Sequence, residues 1–250
     1  MIVFDNISKS FNDKIVLDGV SGVFKAGEIS LVIGASGGGK SLLIKCLLGL
    51  VMPDQGSSFF NDRDFLYSDK LVQTEIKKEM GMLFQGGALF DSKNIEENVQ
   101  FPLDVLTNMS LPEKKDRVNQ CLQQVGLRDI NKKMPNELSG GMKKRAGIAR
   151  AIVNHPKYLF CDEPNSGLDP KTALKMDELI AELTYAYQTT TVVITHDMNT
   201  ILSLGDFILF LCKGKKCYET SSKDILGVDL EELNDFLFVG KFKELLYKKK

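Results

Sequence analysis

Residues 34–41 read Gly34-Ala35-Ser36-Gly37-Gly38-Gly39-Lys40-Ser41, which fits the pattern G-x-x-x-x-G-K-[ST]. The apolar stretch Glu28–Ile33 before this run has the character of a buried strand. Lys40–Leu50 after it has the apolar spacing of a helix, which ends near Gly49 and Pro53. A strand, a glycine-rich loop and a helix in this order are typical of a phosphate-binding loop. A glycine-rich turn that binds nothing is the alternative, but it leaves this context unexplained.

The residue types in this loop suit the phosphates of a nucleotide. Glycine adopts positive φ at little cost, so the backbone can curl until several N–H groups face one anion. The helix that follows adds the positive end of its dipole. We therefore expect Lys40 to reach the β- and γ-phosphates and the Ser41 hydroxyl to coordinate Mg²⁺. Because Gly37, Gly38 and Gly39 are consecutive, the unliganded loop is expected to be loose.

Strands alternate with helices along the rest of the chain. Apolar and β-branched patterns predict strands over Ile2–Ile7, Ile15–Phe24, Ser57–Phe60, Met80–Phe84, Lys157–Cys161, Thr191–Thr195, Phe207–Leu211 and Lys216–Glu219. Helical spacing predicts helices over Pro112–Val125, Gly140–Val153 and Lys171–Tyr187. This alternation predicts an α/β protein with a largely parallel sheet that is covered on both faces.

Composition excludes several classes of protein. The 250 residues carry a net charge of −1, so no overall positive charge favours nucleic acid, and 43 % are hydrophobic, as in soluble globular proteins. No apolar run approaches the roughly 18 residues that span a bilayer, and no export signal opens the chain. The five cysteines are scattered without a CxxC pair, which favours reduced thiols in a cytosolic setting.

A pair of carboxylates follows the predicted strand Lys157–Cys161. Ligands of open α/β sheets bind at the carboxyl edge of the strands, where Asp162 and Glu163 would lie. Asp162 suits the Mg²⁺ shell, and Glu163 is placed to act as a general base on an attacking water. The alternative is that the strand simply ends in two polar residues, which is common. The pair gains significance because a phosphate loop lies upstream.

A second glycine string, Leu138-Ser139-Gly140-Gly141-Met142, precedes the predicted helix Gly140–Val153. Together with the motifs above, it resembles the LSGGQ signature of the nucleotide-binding subunits of ATP-binding cassette (ABC) transporters. The resemblance implies that Ser139, Gly140 and Gly141 grip the γ-phosphate of ATP held by a neighbouring subunit, through the positive helix end. Helix capping by Ser139 is the alternative, and it would not explain two glycines in a first turn.

The remaining family motifs occur in order over residues 11–196. The resemblance implies that Phe11 stacks on adenine, that Gln85 senses Mg²⁺ and the γ-phosphate, and that His196 contacts the γ-phosphate. Ser166-Gly167-Leu168-Asp169 resembles the D-loop (usually SALD), so Asp169 is expected near the second nucleotide at the dimer interface. Two alternatives stay open here: Phe11 as a core aromatic at a polar turn, 8–14, and His196 as an ordinary surface residue.

The resemblance also implies a domain organisation. It predicts a P-loop NTPase cassette over residues 1–228, with a RecA-like mostly parallel core, an antiparallel β subdomain and an α-helical subdomain of about residues 86–150 inserted in the core. Residues 229–250 lie outside the resemblance and have the apolar spacing of an amphipathic helical tail. Such a tail could brace the dimer or bind a partner, whereas the last three lysines suggest a frayed end.

Local strings point to one branch of the family. Met142 replaces the usual Gln, the stretch 83–90 with Phe101-Pro102-Leu103 is unusually apolar, and 140–146 reads Gly-Gly-Met-Lys-Lys-Arg-Ala. These resemble the Mla/Mce-type phospholipid-transport ATPases, which implies ATP-driven lipid transport between the inner membrane and the outer envelope. The rival interpretations are the ATPase of an importer for amino acids or other small solutes, and a soluble ABC ATPase without a transporter.

One copy of each motif implies a homodimer with two shared ATP sites. The resemblance further implies integral-membrane permease subunits similar to MlaE, an Mce-domain protein similar to MlaD, no nucleic acid, and a peripheral position on the cytoplasmic face of the inner membrane. A set of apolar residues around the insert could dock a permease helix or pack the insert's own core: Leu89, Phe90, Val99, Phe101 and Leu103.

Overall fold

The computed structural model describes residues 1–237 of the chain, and these contain ten strands and eight helices. The strands are β1 (Ile2–Phe11), β2 (Lys14–Phe24), β3 (Ile29–Ile33), β4 (Gln55–Phe60), β5 (Arg63–Asp64), β6 (Met80–Leu83), β7 (Tyr158–Asp162), β8 (Thr190–Ile194), β9 (Phe207–Cys212) and β10 (Lys215–Thr220). The helices are α1 (Lys40–Leu47), α2 (Lys70–Lys78), α3 (Ile95–Leu106), α4 (Leu111–Gln124), α5 (Gly140–Ile152), α6 (Pro170–Tyr187), α7 (Met198–Ser203) and α8 (Glu231–Leu237).

The larger sheet has six strands in the order β10-β9-β3-β8-β7-β6. Strands β6, β7, β8, β3 and β9 are parallel to one another, and β10 closes one side through an antiparallel pairing with β9. Every residue of β3 and β8 is buried, as expected for central strands covered on both faces. The parallel order places the loops after β3, β6, β7 and β8 at one edge of the sheet, which is where the predicted site residues cluster.

The smaller sheet is antiparallel, in the order β2-β1-β4-β5. Its first hairpin turns through Asn12 and Asp13, whose φ values of 46° and 62° are those of a tight turn that matches strand twist. The predicted polar turn over residues 8–14 is therefore wrong, because β1 continues to Phe11, which pairs with Lys14. The two sheets and the helices confirm the predicted α/β architecture with a mostly parallel core and an antiparallel β subdomain.

Two hydrophobic clusters cover the faces of the large sheet. One lies between the sheets around α1 and includes Phe4, Leu47, Phe60 and Tyr158, with the rings of Phe60 and Tyr158 edge to face at 4.8 Å. The other lies on the opposite face, where α3, α4, α5 and α6 pack against residues such as Leu159. Burial of these apolar side chains supplies the main driving force for the two-layer packing on either side of the sheet.

The first residues of the predicted tail pack on the core. In α8, Leu233 and Leu237 are buried, and the ring of Phe236 lies 5.6 Å from that of Phe210. The rest of the predicted tail, residues 238–250, lies outside the described residues. Between residues 1 and 237, no helix combines the length and the apolar character needed to cross a membrane.

Candidate nucleotide-binding site

Gly34 begins the loop after β3 and is pressed against the end of β9. A Cβ atom at this position would lie 2.2 Å from the Leu211 carbonyl oxygen, and Gly34 has φ 144°, so the backbone tolerates no side chain here. A Cβ on Gly39, which has φ 97°, would lie 2.8 Å from Leu17 Cδ2 and 3.0 Å from the Val16 carbonyl oxygen of β2. Close contacts and positive φ values therefore favour glycine at both ends of the loop. Between them, Gly37 is exposed, and a Cβ on it would meet no atom within 4 Å.

Lys40 lies inside the curl of the loop. Its side chain is buried, and Nζ donates to the carbonyl oxygens of Gly34 at 2.8 Å and Ala35 at 2.9 Å. Burial lowers the pKa of Lys40, and the nearby Glu163 and Asp162 carboxylates act in the opposite direction. Ser41, the next residue of α1, is exposed. The loop therefore encloses the ammonium of Lys40, and the next residue, Ser41, is exposed to solvent.

Asp162 and Glu163 lie at the carboxyl end of β7. Burial raises the pKa of Asp162, as does the adjacent Glu163 carboxylate, whereas Lys45 and Lys40 lower it. Glu163 has φ 48°, an unusual conformation for a residue with a side chain, and its N–H donates to the Ile194 carbonyl oxygen at 3.0 Å. The turn at Glu163 directs the chain away from β7, and uncommon backbone conformations of this kind cluster at functional sites.

Three predicted site residues from three neighbouring strands meet at Glu163. Gln85, two residues after β6, donates from Nε2 to Glu163 Oε2 at 3.3 Å. His196, two residues after β8, places Nδ1 3.0 Å from Glu163 Oε1. His196 is exposed, as expected for an ordinary surface residue, but it also contacts the Glu163 carboxylate. Because the contacts follow the order β6-β7-β8, the sheet itself brings these side chains together.

Phe11 lies at the end of β1, in the hairpin whose second strand touches Gly39. Its ring is 49 % exposed, and Lys9 Nζ lies 5.5 Å from the ring centroid. The alternative interpretation of Phe11 as a core aromatic is therefore wrong. An exposed ring of this kind can stack on a planar ligand.

Ser139 and the two glycines after it form the first turn of α5. Ser139 Oγ accepts from Met142 N–H at 3.3 Å, so its capping role is confirmed. Gly140 is exposed, and a Cβ on it would meet nothing within 4 Å. No hydrogen bond or ion pair within residues 1–237 joins 139–141 to the loop 34–41. The exposed start of α5 therefore has room for a ligand.

Asp169 ends the loop after Glu163 and begins α6. Its Oδ1 accepts from Thr172 N–H at 3.1 Å, and its side chain also accepts from the Thr172 hydroxyl. These hydrogen bonds lower the pKa of Asp169. Asp169 thus caps a helix, and Ser166, Gly167 and Leu168 before it form an irregular loop at the edge that carries Glu163.

Sequence reasoning missed Lys144, which is buried in α5. Its Nζ donates to the Glu163 carbonyl oxygen at 3.2 Å and to both the carbonyl and hydroxyl oxygens of Ser166. The signal available in the sequence was the spacing of Lys144. It lies four residues before Ile148 and eight residues before Ile152, and so on the buried face of the helix. Burial lowers the pKa of Lys144, and the charge of Glu163 opposes this.

A buried polar cluster behind Glu163 was also missed. Asn165 Nδ2 donates at 2.8 Å to both Asp177 Oδ1 in α6 and Thr200 Oγ1 in α7, and that hydroxyl donates to Asp177 Oδ2 at 2.8 Å. Burial raises the pKa of Asp177, and Asp197 adds to this, while the two hydrogen bonds lower it. The cluster ties the loop after β7 to the helix that follows His196. Asp177 and Thr200 are isolated polar residues within apolar helix patterns and Asn165 lies in a loop, so no motif reveals them.

The apolar residues around the insert divide into two groups. Val99 and Leu103 are fully buried in the core of the helical layer, and Leu89 packs against it, so the core alternative is confirmed for them. Phe90 and Phe101 are 41 % and 38 % exposed, with their rings edge to face at 5.0 Å. Only this second group is available as part of a docking surface.

Residues 17–166 match a protein-family model described as ABC transporter. The chain belongs to the ABC transporter family. The match runs from β2 through the phosphate loop and the 138–142 signature to Ser166, so it includes most of the motifs on which the resemblance was based.

Three curated relatives of this family member have different names. The ATP-binding protein mkl of Mycobacterium leprae, whose name assigns it to ribonucleotide transport, is 40 % identical over 200 residues, which are 80 % of this chain and 58 % of mkl. The methionine import ATP-binding protein MetN of Clostridium tetani is 40 % identical over 86 % of this chain and 67 % of MetN. The intermembrane phospholipid transport ATP-binding protein MlaF of Haemophilus influenzae is 37 % identical over 90 % of this chain and 86 % of MlaF.

Solved cassettes of the ABC transporter family share this fold. The dimeric structure of the bacterial ABC transporter cassette MJ0796 superposes with a TM-score of 0.82 at 31 % identity, covering 89 % of this chain and 99 % of that one. The same cassette is also known as a dimer in a post-hydrolysis state bound to ADP and Pi. The predicted family and fold are therefore confirmed.

The residues at the edge of the sheet fit a magnesium nucleotide. The Ser41 hydroxyl and the Asp162 carboxylate are oxygen ligands of the kind that Mg²⁺ prefers, and Mg²⁺ takes its remaining ligands from phosphates and water. No group of three or more His, Cys, Asp or Glu side chains within residues 1–237 forms a metal cage of its own. The donor set of this ABC transporter family member thus suits an ion that arrives with its nucleotide.

Proposed function

We propose that the chain is the ATP-hydrolysing nucleotide-binding subunit of an ABC transporter. The observation that carries this proposal is the Glu163 carboxylate, held between Gln85 and His196 at the sheet edge that also bears the phosphate loop. A carboxylate with two polar partners near a bound triphosphate is suited to take a proton from an attacking water. The family match supports the proposal.

The other residues of the edge bind and neutralise the nucleotide in this scheme. The loop 34–41 wraps the phosphates with backbone N–H groups, and Lys40 exchanges its two carbonyl acceptors for phosphate oxygens. Ser41, Asp162 and Gln85 would hold Mg²⁺, which would supply positive charge that neutralises the phosphates. Phe11 stacks on the adenine ring. Glu163 orients the water in line with the bond that breaks.

Two copies of the chain complete two sites in the proposed assembly. Ser139, Gly140 and Gly141 of one subunit close on the γ-phosphate held by the other, and Asp169 approaches the same interface. The exposed glycine-rich start of α5 supports this arrangement, because its N–H groups have room to face an anion. The dimeric cassette MJ0796, to which this chain is similar, supports it as well. Loss of the shared γ-phosphate on hydrolysis would then reopen the dimer.

The cargo in this proposal is phospholipid, moved between the inner membrane and the outer envelope. Support comes from the similarity to MlaF over 86 % of that protein's length and from the apolar strings around Gln85 and Met142. The subunit would lie on the cytoplasmic face of the inner membrane, bound to a permease similar to MlaE, with an Mce-domain protein similar to MlaD. The exposed Phe90 and Phe101 are suited to receive an apolar helix of that permease.

An importer for amino acids is the competing function, because MetN is also similar to this chain. Affinity purification from the native membrane separates the two: a co-purified permease with an Mce-domain protein supports lipid transport, whereas a solute-binding protein supports import. The purified complex in liposomes should then transfer a fluorescent phospholipid in an ATP-dependent manner. Transfer by wild type but not by the Lys40→Ala variant is expected, and methionine uptake without lipid transfer would overturn the lipid proposal.

A further inference from the structure

Lys144 places a buried positive charge between two functional parts of the chain. It lies in α5, four residues after the glycine that begins the helix, and its side chain is only 4 % exposed. All three acceptors of its ammonium belong to one turn: the Glu163 carbonyl oxygen, the Ser166 carbonyl oxygen and the Ser166 hydroxyl. An ammonium has three protons to donate, so these contacts satisfy it completely.

Packing alone gives little reason for a lysine at this position. Burying an ammonium requires the loss of its hydration, and an apolar side chain of similar length would fill the same space without that cost. Ile148 and Ala151, which lie four and seven residues after Lys144 in α5, show that this face of the helix otherwise packs through apolar groups. The buried charge is therefore better explained by the Glu163–Ser166 turn that it binds than by a gain in the stability of the fold.

The turn that Lys144 holds carries the Glu163 carboxylate. Glu163 has φ 48°, and its carbonyl oxygen also accepts from the N–H of Ser166 at 3.2 Å and from its hydroxyl at 3.1 Å. The ammonium adds charge-assisted hydrogen bonds at the centre of this turn. Orientation of the carboxylate toward His196 and Gln85 depends on that backbone, because the side chain starts from the strained residue.

A second contact joins the start of α5 to the same loop. A Cβ on Gly141 would lie 3.0 Å from Thr172 Cγ2 and 3.7 Å from Leu168 Cδ2, so the first turn of α5 packs directly on the residues that follow Ser166. A helix is stiff along its axis, so a displacement of its first turn also displaces the residues one turn later. Lys144 lies one turn after Gly140, so its ammonium would move with the start of α5.

We propose that Lys144 is a positioning residue that couples the start of α5 to the Glu163 turn. When Ser139, Gly140 and Gly141 close on the ATP of the partner subunit, α5 shifts as a unit and Lys144 sets the turn that aims Glu163 at the ATP of its own subunit. Each site then hydrolyses ATP only when the other is engaged. This coupling rests on the proposed ATPase function and explains how two sites made from the same residues act together.

The test compares Lys144→Met with a matched control, Arg117→Met. Arg117 is also a buried cation of the helical layer and also donates to backbone carbonyls, at Val153 and Ile152, but it does not contact the Glu163 turn. For Lys144→Met we expect kcat for ATP to fall by about tenfold or more, KM to stay within about twofold, and the Hill coefficient for ATP to fall to about 1. For Arg117→Met we expect a lower Tm with kcat and the Hill coefficient preserved.

Different outcomes separate the coupling from the ATPase function itself. If wild type hydrolyses ATP and Glu163→Gln does not, but Lys144→Met keeps the wild-type kcat and Hill coefficient, the coupling is wrong and the ATPase proposal stands. A kcat loss that tracks Tm equally in both methionine variants would also overturn the coupling. If wild type itself is inactive, both proposals fail. Should Lys144→Met not fold, Lys144→Gln, which lacks the charge but keeps a donor, decides the same comparison.

Discussion

Glu163 Oε1 lies 3.0 Å from His196 Nδ1, although 33 residues separate the two in the chain. The Glu163 side chain is largely buried and that of His196 is 62 % exposed, so the contact is reached from solvent on one side. Hydrogen bonds of this exposed kind contribute little to stability. The pair can therefore exchange its partners for a phosphate and a water at low cost, as the proposed role of Glu163 as general base requires.

Replacement of Glu163 by Gln tests the general base. The amide keeps the size of the side chain but cannot accept a proton, so ATP hydrolysis should fall by about 10²- to 10⁴-fold while ATP binding persists. The bound ATP should then trap a dimer that is detected by size-exclusion chromatography with multi-angle light scattering. Hydrolysis at the wild-type rate would show that another group takes the proton.

Replacement of Ser139 by Arg tests the role of the α5 start across the dimer. The long cation would block the space that the exposed first turn leaves open, so hydrolysis should be lost, whereas each chain should bind a fluorescent ATP analogue with an affinity within about threefold of wild type. A Ser139→Ala variant removes the hydroxyl without adding bulk, and it measures the stability that loss of the cap costs, about 1 kcal/mol. Loss of binding in the arginine variant would place the signature within its own chain's site.

Alanine at two glycines of the phosphate loop should have unequal effects. Gly34→Ala would drive a methyl group to 2.2 Å from the Leu211 carbonyl oxygen, so the free energy of unfolding should fall by about 3 kcal/mol. Gly37→Ala faces open space and is strained only by its φ of 74°, at a cost of about 1 kcal/mol. Thermal melts of the two variants without nucleotide measure the difference in stability. Equal losses of Tm would contradict the close contact between Gly34 and the end of β9.

Replacement of Asp177 by Asn should have a pH-dependent effect on stability. Because burial raises the pKa of Asp177 above its usual 3.8, the folded protein binds more protons than the unfolded chain at mildly acidic pH. The wild type therefore loses stability as pH rises through that raised pKa. The amide oxygen of the variant can still accept from Asn165, and the Thr200 hydroxyl can turn to Asp197 Oδ1, 3.3 Å away.

The Tm of this variant relative to wild type should therefore increase by a few degrees between pH 4 and pH 8. Asp116→Asn, at an exposed position of α4, removes the same charge without burial and should show no such trend. A constant difference in Tm across this range would show that folding does not raise the pKa of Asp177.

Motifs with strong local chemistry were predictable from the sequence. The loop 34–41, the Asp162-Glu163 pair and the signature at 138–142 each combine unusual residue types with a recognisable strand or helix, and the sheet order then brings their strands together. Helices with clear apolar spacing were also predicted closely: α4 begins one residue before its predicted start and α5 ends one residue before its predicted end.

Elements with weak local signals were missed. Helix α3 contains Pro102, which argues against a helix from sequence, yet Asn94 and Glu97 cap its start reciprocally and override that signal. Phe11 was assigned to a turn because residues 8–14 are polar, but pairing with β2 extends the strand. The contacts of Lys144 and Asp177 depend on which elements pack together, and tertiary packing of this kind is invisible to local patterns.

The order of strands in the large sheet also sets the spacing between two parts of the proposed site. Strand β8 lies between β3, which leads to the phosphate loop, and β7, which leads to Glu163. With neighbouring strands about 4.8 Å apart, the two loops begin about 10 Å from each other. In the proposed site, β8 therefore works as a spacer that separates the phosphate-binding loop from the general base.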